Sequence, residues 1–272
     1  MDIISENKCF GGVQGVYRHA SEATGTEMTF GIFLPEAAGP LPVLFFLSGL
    51  TCTHENAMVK AGAQAHAAAH GIALVFPDTS PRGDGVADDD AFDLGQGAGF
   101  YVDATETPWS PHFRMQSYIL DDLPRLLFDA FPLDEGRQAI TGHSMGGHGA
   151  LTLAAKAPGR FRSVSAFSPI CNPLESDWGQ KQFTAYLGSV AAGEGHDASI
   201  LAAGGALDLP ILTDTGTADQ FGPLLCTEAL ETAVAGRSDA RVRLQNGYDH
   251  SYFFVATFMA EHVAFHSEHL AS

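Results

Sequence analysis

Basic residues are scarce in this chain. Fourteen lysines and arginines stand against 32 acidic residues, for a formal net charge of −18 over 272 residues. A surface of that sign repels phosphate backbones and anionic lipid, which excludes nucleic acid and membrane surfaces as expected partners. Cysteine is scarce too. Cys9, Cys52, Cys171 and Cys226 are scattered, with no C-x-x-C. That excludes a zinc knuckle and a disulfide framework, and it fits free thiols in a reducing cytoplasm. No apolar run approaches the roughly 18 residues of a membrane-crossing helix. Residues 1–6 carry no basic segment leading into an apolar stretch, so no signal peptide is predicted. There is no H-E-x-x-H, and the acidic run from Asp84 to Asp93 lacks the ligand order of a calcium loop. Gly95-Gln96-Gly97-Ala98-Gly99 lacks the G-x-G-x-x-G spacing and follows no clear strand. Neither a metal nor a cofactor is expected.

Glycine is plentiful, with 30 residues, and four of them fall in one stretch around a serine. Ala139-Ile140-Thr141-Gly142-His143-Ser144-Met145-Gly146-Gly147-His148-Gly149 reads as apolar strand, tight turn and helix. Gly142-His143-Ser144-Met145-Gly146 fits the G-x-S-x-G nucleophile elbow. A serine lifted onto that turn is strained, and its neighbours two before and two after press together, so glycine suits both places. A five-residue pattern can arise by chance in such a chain, so its surroundings decide.

Those surroundings alternate strand and helix. Antiparallel strands are predicted at 13–19 and 28–34. Near-continuous apolar runs at 43–47 and 72–76 read as strands buried on both faces. Further strands are predicted at 164–168, 210–214 and 241–245, with helices at 56–70, 116–131, 224–235 and 251–270. Pro124 predicts a kink or early start in the second helix. Residues 79–113 form a long irregular segment, and 174–204 a short helical excursion. The pattern implies one α/β domain over 1–272, with a mostly parallel central sheet and helices on both faces.

A serine hydroxyl needs a base in reach and an acid behind that base. In the α/β-hydrolase fold these follow the serine in the order acid, then histidine. Asp219, on the loop after strand 210–214, and His250, after strand 241–245, meet this order. Asp214 is the rival acid at a strand end, and His196 a rival base with no strand before it. The oxyanion donors would be the backbone N–H groups of Met145 and, from the loop after strand 43–47, Leu50. Cys52 lies in that same loop and is a candidate pocket residue.

Longer stretches carry a specific resemblance. They are Leu47-Ser48-Gly49-Leu50-Thr51-Cys52-Thr53-His54-Glu55-Asn56, Pro77-Asp78-Thr79-Ser80-Pro81-Arg82-Gly83 and Gly97-Ala98-Gly99-Phe100-Tyr101-Val102-Asp103-Ala104-Thr105. Phe167-Ser168-Pro169-Ile170-Cys171-Asn172-Pro173, Trp178-Gly179 and Gly247-Tyr248-Asp249-His250-Ser251-Tyr252 complete the set. With the elbow, these resemble the S-formylglutathione hydrolase (esterase D) family across nearly the whole chain. The resemblance implies an α/β-hydrolase fold and a cytoplasmic serine thioesterase that splits a glutathione thioester into formate and glutathione. It implies the triad Ser144, Asp219 and His250, donors at Leu50 and Met145, Trp178 in the substrate pocket, and a homodimer. An anionic substrate needs a basic contact, for which Lys60, Arg82, Arg114 and Lys181 are candidates. A broad short-chain carboxylesterase or an acyltransferase would use the same triad, and a silent hydrolase fold serving as a binding scaffold is the remaining reading.

Overall fold

The computed structural model describes residues 1–271. Nine strands form one sheet: β1 (Asp2–Cys9), β2 (Gly12–Ala20), β3 (Glu27–Pro35), β4 (Leu41–Leu47), β5 (Ala73–Pro77), β6 (Leu133–Gly142), β7 (Phe161–Phe167), β8 (Ile211–Gly216) and β9 (Ala240–Gln245). Their order across the sheet is β1-β2-β3-β5-β4-β6-β7-β8-β9. From β5 onward neighbours run parallel, and β1, β2 and β3 add an antiparallel wing. The helices are α1 (His54–Lys60), α2 (Ala63–His70), α3 (Met115–Ser117), α4 (Leu123–Ala130), α5 (Met145–Lys156), α6 (Asp177–Leu187), α7 (Ala198–Ala203), α8 (Gly222–Leu225), α9 (Thr227–Ala233) and α10 (Tyr252–Leu270).

Strand alternation divides the core in two. Leu44 and Phe46 of β4 pack with Ala57, Ala63, Phe254 and Val263 on the face covered by α1, α2 and α10. Val43, Phe45 and Leu47 point the other way, toward Leu123, Leu151 and Phe183 of α4, α5 and α6. Each of these β4 side chains is essentially solvent-free, and burial of each is worth about 2 kcal/mol. That is why β4 reads as an unbroken apolar run. No helix among the described residues is long and apolar enough to cross a membrane.

Four expectations are corrected. The helix predicted at 56–70 is two, because the backbone turns left-handed at Gly62, with φ 67°. The one predicted at 224–235 divides into α8 and α9 at Cys226, also left-handed, with φ 52°. The helix predicted at 116–131 carries a π-helical turn over Tyr118–Asp122 ahead of α4. Pro124 has no N–H for the Leu120 carbonyl four residues back, and the Arg160 guanidinium donates to that carbonyl instead. Finally, β8 runs to Gly216 and β1 is an additional strand at the sheet edge. β1 escaped the pattern because it is largely exposed and lacks alternation between buried and exposed residues.

Candidate active site

β6 delivers the serine. Ser144 caps α5 with φ 59° and ψ −122°, a conformation that costs a side-chain-bearing residue on the order of 1–3 kcal/mol. Both neighbouring strands hold it there. Ser144 N–H donates to the Phe167 carbonyl of β7 at 2.9 Å, and His143 N–H donates to the Leu47 carbonyl of β4 at 3.0 Å. Glycine is obligatory on both sides. A Cβ on Gly142 would lie 2.1 Å from the Gly146 carbonyl oxygen, and one on Gly146 would lie 2.1 Å from the Leu47 carbonyl oxygen. Gly146→Ala is therefore expected to cost more than about 4 kcal/mol of stability. Its thermal midpoint checks this; melting close to wild type would show that the elbow can relax.

β4 delivers the facing loop. Leu47 lies beside Gly142 in the parallel ladder, so residues 48–52 emerge against the elbow. The long segment 79–113 locks this loop. Thr51 N–H donates to the Gly97 carbonyl at 2.9 Å, and the Cys52 carbonyl accepts from Thr79 Oγ1 at 2.5 Å and from Arg82 at 2.8 Å. Leu50 lines the cavity over Ser144. Met145 is the first residue of α5, so its N–H has no acceptor within the helix.

The next two loops deliver an acid and a base. Asp219 Oδ2 accepts from His250 Nδ1 at 2.6 Å and from Ser168 Oγ at 2.8 Å, while Oδ1 accepts from the Phe221 N–H at 2.9 Å. Burial pushes the Asp219 carboxyl up, but the His250, Phe221 and Ser168 bonds outweigh it and hold the group below its usual range. An ionised carboxylate only accepts, so Nδ1 carries the imidazole proton and Nε2 keeps its lone pair. Ser144 and His250 line one cavity of about 190 Å³.

Of the predicted pocket residues, Cys52 and Trp178 line this cavity. Burial raises the Cys52 thiol above its ordinary pKa, so thiolate is scarce there at neutral pH. None of Lys60, Arg82, Arg114 and Lys181 is among the lining residues. Arg82 is held by Asp78 and the Cys52 carbonyl, Arg114 faces Asp103 at 3.9 Å, and Lys60 sits in the last turn of α1. Lys181 pairs with Asp93, next to the lining residue Phe92, and follows Trp178 by three residues on α6, hence on the same helix face.

The rivals go elsewhere. Asp214 is buried within β8, bonded to Arg243, Gln245 and His262. Burial raises its carboxyl, yet those bonds bring it down to about 2. With His262 and Ser165 it forms a second acid–histidine–serine string, but a solvent-free one that pins α10 to the sheet. His196 packs against Phe183, away from the cavity.

Sequence reasoning found Trp178 but missed the aromatic wall around it. Phe92 meets Trp178, Trp178 meets Phe221, and Phe221 stands edge-on to His250 with ring centroids 5.0 Å apart. His143 lies under His250 at 4.6 Å and touches Tyr252 at 5.2 Å. Phe221 and Tyr252 each follow a singled-out residue by two places, the one signal that could have found them. A larger groove, of about 1440 Å³, opens between α4 and the amino ends of β6 and β7, and holds none of the predicted site residues.

The esterase family model matches residues 21–265. S-formylglutathione hydrolase of Paracoccus denitrificans is 62% identical, over 99% of this chain and 98% of that one. The chain belongs to the S-formylglutathione hydrolase family. The Mus musculus member is 47% identical, over 98% of both chains. A solved S-formylglutathione hydrolase from Agrobacterium tumefaciens superposes with a TM-score of 0.96 at 46% identity, covering 99% of this chain and all of that one. The Staphylococcus aureus serine hydrolase FphF shares the fold alone, at TM-score 0.74 and 18% identity. Family membership makes this chain a hydrolase with the α/β-hydrolase fold.

Proposed function

We propose that this chain hydrolyses S-formylglutathione in the cytoplasm, through an acyl-enzyme on Ser144. The observation that carries the reading is one cavity shared by Ser144, on its strained elbow, and by the hydrogen-bonded Asp219–His250 pair. Ser144 Oγ attacks the formyl carbon while His250 Nε2 takes its proton. Asp219 keeps the imidazole in the Nδ1–H tautomer and stabilises its charge. The oxyanion sits between the Leu50 and Met145 N–H groups, each worth on the order of 3 kcal/mol of barrier. The C–S bond then breaks, and the glutathione sulfur leaves with the proton from His250. Water, deprotonated by His250, attacks the formyl ester and releases formate and free Ser144.

Cavity size bears on the substrate. Pockets that bury a drug-sized ligand run to about 300–1,000 Å³. About 190 Å³ between Trp178, Phe221 and Tyr252 suits a small acyl group and its thioester link. The rest of the tripeptide would lie outside the cavity, within reach of Lys181 on the helix face it shares with Trp178. Specificity constants for S-formylglutathione and p-nitrophenyl acetate test the reading. The thioester is expected to be preferred; preference for the oxygen ester would make this a general short-chain esterase.

A further inference from the structure

We propose that Ser168 is a positioning residue for the acid of the triad, tying the Asp219 carboxylate to the backbone that carries the nucleophile. The inference rests on the triad reading above. Phe167 and Ser168, at the carboxyl end of β7, touch both partners. The Phe167 carbonyl accepts the Ser144 N–H at 2.9 Å. One residue on, Ser168 Oγ donates to Asp219 Oδ2 at 2.8 Å, the same oxygen that accepts from His250 Nδ1 at 2.6 Å. Two adjacent residues thus fix the distance between nucleophile and acid, although these come from different strands.

The local backbone supports the assignment. Ser168 has φ 42°, a region that side-chain-bearing residues rarely adopt. It is fully buried, and its N–H donates to the Asp214 carbonyl at 2.7 Å. Glycine would occupy this conformation without strain; what glycine would lack is the hydroxyl. Two donors meeting on Oδ2 fix the rotation of the carboxylate, so that this oxygen stays aimed at Nδ1. The hydroxyl also draws negative charge from the oxygen that must stabilise the imidazolium. The other titratable groups around the pair are His143, whose ring lies against His250, Tyr252 beyond it, and Asp249 in the same loop.

Four variants test this with p-nitrophenyl acetate, so that substrate identity is not at stake. Ser168→Ala removes the hydroxyl and keeps the strain. Ser168→Gly removes both. Each is expected to lower kcat by about 10- to 100-fold with KM within about twofold, the range of a lost hydrogen bond to a charged group. Without the hydroxyl Oδ2 holds the imidazolium more strongly, so the acid limb of the kcat/KM profile moves to higher pH. In an Asp219→Asn background, Ser168→Ala is expected to change kcat by less than about twofold, because its effect passes through the carboxylate. Wild-type kcat with an unmoved acid limb in either folded variant overturns the proposal. So does the same fold-loss in the Asp219→Asn background. Asp219→Asn alone tests the triad separately, since it is expected to lose about 10⁴ in kcat. If it does not, the triad reading fails, whatever Ser168 does.

Discussion

Ser144→Ala is expected to lower kcat for S-formylglutathione by about 10⁶, a loss on the scale of removing a triad nucleophile. The size follows from its place in the mechanism. Without the hydroxyl no acyl-enzyme forms, and His250 has no proton to accept. What remains is attack by water in a site that still binds substrate and still presents the Leu50 and Met145 N–H groups, worth about 10³–10⁴ over solution. Binding should persist, because the cavity walls are unchanged. Folding should persist as well: alanine bears the same positive φ as serine, and both backbone bonds that lock the elbow come from N–H groups of residues 143 and 144. The measurement is single-turnover kinetics with a thermal melt on the same sample. Retention of more than a few per cent of kcat would mean that another group attacks. Cys52, in the cavity wall, is the first place to look, though burial holds its thiol protonated.

The second large effect is on stability. Between pH 7.5 and pH 5 the fold is expected to lose at least about 4 kcal/mol, a large share of the roughly 5–15 kcal/mol that holds a domain together. Buried histidines are responsible, His143 and His148 among them; His196, brought down to about 4, and the solvent-free His262 and His266 act in the same direction. Burial, with the neighbouring His250, brings His143 down to about 3. Burial, with His196, brings His148 down to about 3. Unfolded, each titrates near 6.5. As pH falls through that value the unfolded chain takes up protons that the folded one refuses, so stability falls. His143 and His148 each cost about 2 kcal/mol by pH 5. The depressed carboxyls of Asp214 and Asp219 act in the same direction, but only as pH falls below about 4, so they are silent in this window. Urea midpoints at pH 7.5, 6 and 5 give the slope, and His148→Phe should remove about 2 kcal/mol of the loss. An unchanged midpoint at pH 5 would mean that these rings have room to charge.

The placement of the candidate site was more legible in the sequence than the residues that support it. The elbow could be read because close contact leaves only glycine at 142 and 146. The facing loop could be read because β4 is buried on both faces and ends at one place. The triad order pointed to Asp219 and His250 because each sits on a loop directly after a strand. Ser168 gave no such sign: a lone serine after an apolar run has no pattern, and its partner lies 51 residues on. Phe92 was equally silent, since an aromatic within an acidic run reads as a solvated loop. The breaks at Gly62 and Cys226 were missed for another reason. Helical composition continues across both, and only the backbone dihedral shows the interruption.

The sheet order gives these parts a division of labour. Five adjacent strand ends carry, in sequence, the proposed oxyanion donor after β4, the proposed nucleophile after β6, Ser168 after β7, the proposed acid after β8 and the proposed base after β9. Trp178 and Phe92, which shape the entrance, hang on excursions that lie outside that row. Such a layout lets the doorway be rebuilt by insertion or exchange while the working row keeps its spacing. The same scaffold could be refitted to larger acyl groups by grafting only the two excursions.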